Sequence, residues 1–222
     1  MSLHTVRSGG FAGIAFVILV ILSVLIPWAT PPDNGAPAAA IAAYGDAHRV
    51  ALLIADWLGL PAAVVFTWYS VGLYRWLASV EPDEGLPLFG LINGVIANAL
   101  AVLGSVIGIA FVFHASSELG PQVIRVFYDF WSVDQAITLG LTAFFILGNA
   151  MSGMRHGSLP AWLCLLGYLF AICEVAASLT SMSNSGPMAL GGILGLILGL
   201  VPLLLWVLIS AFVMIGKGAA AK

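Results

Sequence analysis

Phe11-Ala12-Gly13-Ile14-Ala15-Phe16-Val17-Ile18-Leu19-Val20-Ile21-Leu22-Ser23-Val24-Leu25-Ile26 is a run of sixteen residues in which Ser23 alone carries a polar side chain. Arg7 precedes it and small residues follow around Ala36 to Ala40, the order found in a secretory signal. The run is longer than the roughly 7–15 apolar residues of a signal core and approaches the roughly 20 needed to cross a bilayer. It is therefore read as a first membrane-spanning helix. Similar runs recur through the 222 residues, predicting spans near 9–29, 49–78, 87–115, 132–153, 159–182 and 187–216. The segments between them hold helix breakers: Pro31-Pro32-Asp33-Asn34-Gly35, Glu81-Pro82-Asp83-Glu84-Gly85, Gly120-Pro121, Arg155-His156-Gly157 and Ser183-Asn184-Ser185-Gly186-Pro187. The fold class expected is an all-α, polytopic bundle of six helices forming one domain over residues 1–222.

Composition agrees. The chain is 61% hydrophobic and 8% charged, whereas soluble domains carry about 25% charge, and disordered chains are more polar still. Seven basic residues and a net charge of -3 leave no cationic face for nucleic acid. Arg7, Arg75, Arg155, Lys217 and Lys222 fall on one side of the six spans, against Arg49 and Arg125 on the other. The positive-inside rule then places both termini in the cytoplasm, and the larger loops, 30–48 and 116–131, face outward. The aromatic segment from Gln122 to Trp131 reads either as a short interfacial helix or as the ragged start of the fourth span. Cys164 and Cys173 are nine positions apart, on opposite faces of one helix, and are read as small core hydrophobes.

Lipid offers no hydrophobic drive for helix association, so small residues that let backbones approach mark the packing faces. Gly191, Gly195 and Gly199 form such a stripe on the sixth span, and Gly94 and Gly108 belong to one on the third. These faces either close the bundle or meet another integral membrane subunit, with the sixth span best placed for a neighbour.

An ionisable side chain inside a span costs about 2.5–3.5 kcal/mol on insertion scales, so its presence asks for a role. Two acids qualify, Asp56 in the second span and Glu174 in the fifth. Each is expected roughly 10–12 Å beneath the outer surface by helix rise, at one shared depth. Ser105, His114, Asp134, Gln135 and Ser178 fall in the same outer half. Together they make candidates for an outward-opening pocket that binds a proton, a cation or a lipid headgroup; the alternative is that each acid is neutral or locally bonded and pins the bundle. The four histidines lie at span ends and no ligand spacing indicates a metal; no cofactor is expected. There is no Gly-rich phosphate loop, His-Glu-Xaa-Xaa-His or Gly-Xaa-Ser-Xaa-Gly, so no enzyme is expected.

Five stretches carry a resemblance: Ala39-Ala40-Ile41-Ala42-Ala43-Tyr44; Ala47-His48-Arg49; Gly72-Leu73-Tyr74-Arg75-Trp76-Leu77; Leu159-Pro160-Ala161-Trp162-Leu163 with Leu166-Gly167; and Leu204-Leu205-Trp206-Val207-Leu208. Through them the chain resembles a family of bacterial six-helix membrane proteins known as a domain of unknown function. The resemblance implies the six-helix fold and a multi-pass protein of the bacterial plasma membrane, and no catalytic residue. Two functions are expected from these features: an accessory or stabilising subunit of a larger membrane assembly, or a small carrier or binder built on Asp56 and Glu174.

Overall fold

The computed structural model describes residues 3–27, 31–81, 83, 85–115, 120–183 and 193–220. The chain forms α1 (Leu3–Leu25), α2 (Ala38–Ala47), α3 (Arg49–Ala78), α4 (Gly85–His114), α5 (Pro121–His156), α6 (Ala161–Ser178), α7 (Ile193–Gly195) and α8 (Val201–Ala220). A 3₁₀ turn, Leu179–Met182, continues α6, and a π turn, Leu196–Leu200, joins α7 to α8. Six helical stretches are long and apolar enough to cross a membrane, so the protein is an all-α multi-pass membrane protein. No strand occurs among the described residues.

Each spanning helix packs on the next in chain order, and α8 closes the ring by packing on both α6 and α1. Gly10 lies against Ala211 and Ile215, so the first and last spans are antiparallel and the two termini share one side of the bundle. The ring is filled by Phe66 and Tyr69 from α3, Phe145 from α5, Leu163 from α6 and Trp206 from α8. Tyr69 reaches across it to the Ser210 hydroxyl at 2.6 Å, both buried.

The glycines explain how apolar helices come this close. Gly9 and Gly72 put α1 and α3 backbone to backbone, a Cβ on either meeting the other's Cα at 3.0 Å. Gly94 receives the Phe145 ring and Gly199 receives Leu139. The glycine faces of the third and sixth spans are thus occupied inside the chain, with Gly195 beside Thr180. Of the two readings of these glycines, Gly94, Gly195 and Gly199 follow the one in which they close the bundle; Gly191 lies outside the described residues.

Two features differ from the sequence reading, and a third follows one of its two alternatives, the 122–131 segment as the start of the fourth span. α1 begins at Leu3 rather than near residue 9, because hydropathy marks the bilayer and not the end of helix-compatible backbone. The 122–131 segment is continuous with α5, which Pro121 opens after Gly120 at φ +80° and Gly157 closes at φ +62°, the left-handed conformation glycine adopts freely. The 30–48 loop holds a further helix, α2, rich in alanine, the strongest helix former.

α2 and the strand of chain before it form a cap at the end opposite the termini. Arg125 donates to the Ala36 and Asn34 carbonyls at 3.1 and 2.5 Å, and Asn34 donates to Asp129 at 3.0 Å. The Tyr128 hydroxyl donates to the Pro32 carbonyl. Ile41, Phe111, Ile124 and Tyr128 make a second, smaller apolar core beneath this cap.

Candidate functional site

Two carboxyls converge on one stripe of α4. Gly104 and Gly108 are one turn apart, so their missing side chains leave adjacent notches. A Cβ at Gly108 would lie 2.6 Å from Asp56 Oδ2, and one at Gly104 would lie 2.3 Å from Asp134 Oδ2 and 2.9 Å from Gln135 Nε2. Asp56 comes from α3 and Asp134 from α5, so both acids reach the same helix from opposite neighbours. Cβ positions one turn apart are separated by about 6 Å, which puts the two carboxyl oxygens within about 11 Å of each other. Asp134 is only 8% exposed, and its Oδ2 is buried with no hydrogen-bond partner.

Tyr44 closes the cap side of this layer. Its ring packs on His48, tilted by 35°, with ring centroids 4.8 Å apart. Burial first, and then the charge of Asp56, push its phenol above the ordinary tyrosine range.

Glu174 belongs elsewhere. It is fully buried on α6, and its Oε2 meets the Thr142 hydroxyl of α5. Thr142 has one hydroxyl hydrogen, and the Leu139 carbonyl lies 2.8 Å from the same oxygen. If Thr142 gives its hydrogen to Leu139, the contact with Glu174 is completed by a proton on the carboxyl. Among the described residues no group is placed in normal geometry to hydrogen-bond Glu174 Oε1. Leu203 approaches the carboxyl through its backbone, one residue past Pro202 and just after the π turn that interrupts the regular helix.

The register corrects the expected shared depth. Gly94 faces Phe145 and Gly104 faces Asp134, so Thr142 and Glu174 come level with about Ala97. Asp56 stands level with Gly108. At 1.5 Å per residue the two acids differ in depth by about 16 Å: Asp56 lies in the cap-side third and Glu174 near mid-bundle. They occupy separate interfaces, α3–α4 and α5–α6.

The other candidates are placed as follows. Gln135 joins Asp134 at Gly104. Ser105 donates back to the Ala101 carbonyl at 3.2 Å and presses on Gly59 rather than entering the carboxyl layer. His114 stacks on Phe127 at 6.0 Å. Ser178 donates to the Val175 carbonyl at 2.7 Å and packs on Gly140. A groove of about 310 Å³ lined by Val50, Leu53, Ile54 and Trp57 is apolar and contains none of the candidates. Among the described residues no three His, Cys, Asp or Glu come close enough to hold a metal.

Sequence reading reached Thr138, whose buried hydroxyl has no partner among the described residues, but missed Thr142, the partner of Glu174 one turn further along α5. The signal was present: Asp134, Thr138 and Thr142 recur every fourth residue and share a helix face. No family model matches the chain, and neither a curated protein nor a solved structure is similar to it.

Proposed function

We propose that the protein is a small, non-enzymatic membrane carrier or binder whose intramembrane carboxyls, Asp56 and Asp134 at the α4 notches and Glu174 at mid-bundle, take up and release protons. One observation carries this reading. Asp134 and Glu174 are both more than nine-tenths buried; among the described residues Asp134 Oδ2 has no partner, and Glu174 has only the Thr142 hydroxyl and the Leu203 backbone beside it, an arrangement that is costly in hydrocarbon unless the group is neutral or used. A proton is the favoured ligand over a metal ion because the three acids approach from different interfaces. The accessory-subunit reading has less support, since its glycine faces are filled from within the chain. The excess of Arg and Lys on the side of the termini supports a cytoplasmic location for both, and the resemblance to bacterial six-helix proteins supports a plasma membrane.

The test is reaction with dicyclohexylcarbodiimide in a lipid bilayer. A protonated carboxyl in apolar surroundings adds across one C=N bond of this reagent, without a leaving group. Peptide mass spectrometry is expected to find the adduct on Glu174 and to find it absent in Glu174→Gln. An unmodified Glu174 would overturn the reading.

A further inference from the structure

Below Thr142 the polar face of α5 does not stop. At 100° per residue, Asn149, Ser152 and His156 fall in the same arc of about 80° as Asp134, Thr138 and Thr142, a stripe that runs from Asp134 to the end of α5 and meets α4 at Gly104 and Gly90; before Asp134 the same arc holds Ile124, Phe127 and Trp131. Asn149 and Ser152 are 1% and 0% exposed, and the Ser152 hydroxyl has no partner. His156 ends the stripe 3.8 Å from Glu81, itself a buried carboxylate that accepts the Leu86 amide at 3.1 Å. Between Asp134 and His156 one residue in this arc is apolar. Phe145 sits between Thr142 and Asn149, fully buried, its ring on Gly94 and within 5.3 Å of Phe66 and 6.2 Å of Tyr69.

We infer that α5 carries a single proton path from the carboxyl layer at Asp134 to the membrane face of the termini and that Phe145 is its plug. On the cap side the titratable groups along it are Asp134 and Glu174, with Asp56 opposite on α3; on the side of the termini they are Glu81 and His156. Against the plug itself, among the described residues, lies the Tyr69 phenol, which is bonded to Ser210. Neighbouring positions on the stripe are about 6 Å apart, a gap that one bridging water spans, whereas crossing Phe145 means passing a dry ring stack. A carrier cycle must move this ring before protons reach the second half. The inference rests on the proposed proton binding by Asp134 and Glu174 and extends it to transfer across the membrane.

The experiment uses the full chain in liposomes, a potassium diffusion potential set with valinomycin, and an enclosed pH dye. Phe145→Ala is expected to pass protons about a hundredfold faster than the wild type, the factor by which an insertion-scale charge barrier slows a step. Phe66→Ala, which opens a similar space off the stripe, is expected to stay at the wild-type rate. Adding Asn149→Leu to Phe145→Ala is expected to cut the leak about tenfold or more. Phe145→Asn keeps more volume and supplies the same test should the alanine variant fail to insert. No leak in a folded Phe145 variant, an equal leak through Phe66→Ala, or a leak indifferent to Asn149→Leu would each overturn the path. Carbodiimide labelling of Glu174 in the same samples separates the two levels: labelling kept without a leak sinks the path alone, and labelling lost sinks the proton-binding reading as well.

Discussion

Alanine at Gly104 asks whether the notch on α4 exists to seat a carboxyl. The new Cβ would stand 2.3 Å from Asp134 Oδ2, and ordinary contact begins near 3.4 Å, so the carboxyl must retreat by about 1.1 Å. The obstructing atoms, Asp134 Oδ2 and Gln135 Nε2, are the ends of side chains and can swing. Overpacking usually costs about 1–3 kcal/mol; here the lower end applies, and the helix preference of alanine over glycine returns about 1 kcal/mol. The net change in stability is therefore expected to stay within about 1 kcal/mol while the carboxyl is displaced. Gly10→Ala is the contrast. Its Cβ would meet the Ala211 backbone carbonyl at 2.7 Å, which cannot swing, so α1 and α8 must part and a loss of about 1–2 kcal/mol remains after the same propensity gain. Unfolding in mixed micelles of increasing SDS fraction measures stability, and infrared difference spectra against Asp134→Asn follow the carboxyl. Gly104→Ala should shift the Asp134 band with stability nearly unchanged, and Gly10→Ala should do the reverse. Equal destabilisation by the two, or an Asp134 band untouched by Gly104→Ala, would refute the reasoning.

Three further outcomes follow from the same geometry. Because Tyr44 holds its proton further up the pH scale when folded than when unfolded, the stability it contributes is complete below about pH 10 and is lost as pH rises through the folded value; Asp56→Asn should lower the phenol's titration in ultraviolet difference spectra, and an unchanged curve would separate Tyr44 from Asp56. Thr142→Val should cost about 0.6–1.7 kcal/mol, the range of polar contacts between membrane helices, and less in a Glu174→Leu background, where a mixed-micelle double-mutant cycle that proves additive would remove the coupling. Arg125→Met deletes the bonds to Ala36 and Asn34 and should speed hydrogen exchange through residues 31–47 by about tenfold or more, leaving the core of α3 as protected as before; protection lost equally in both would deny the cap its independence.

The six spans were legible because each is a long, predominantly apolar run, a signal that depends on solvent and not on partners. α2 was not, since ten alanine-rich residues between Pro37 and His48 are too short for a hydropathy window and sit among turn formers. Asp56 and Glu174 were legible as charges out of place, yet their relative depth was not: it depends on which residue of α4 faces which residue of α5, and contacts such as Phe145 on Gly94 set that register. Glycine spacing on the sixth span likewise showed a packing face without showing that Leu139 fills it. Threonine is nearly neutral to hydropathy, so the polar face of α5 emerged only with Thr142 against Glu174.

The most direct measurement is the infrared spectrum of the protein in lipid bilayers near neutral pH, with and without Glu174→Gln. A carboxylic-acid C=O band present in the wild type and missing from the variant is the result expected of a proton held at mid-bundle. A wild type that loses a carboxylate band on the same substitution would contradict it.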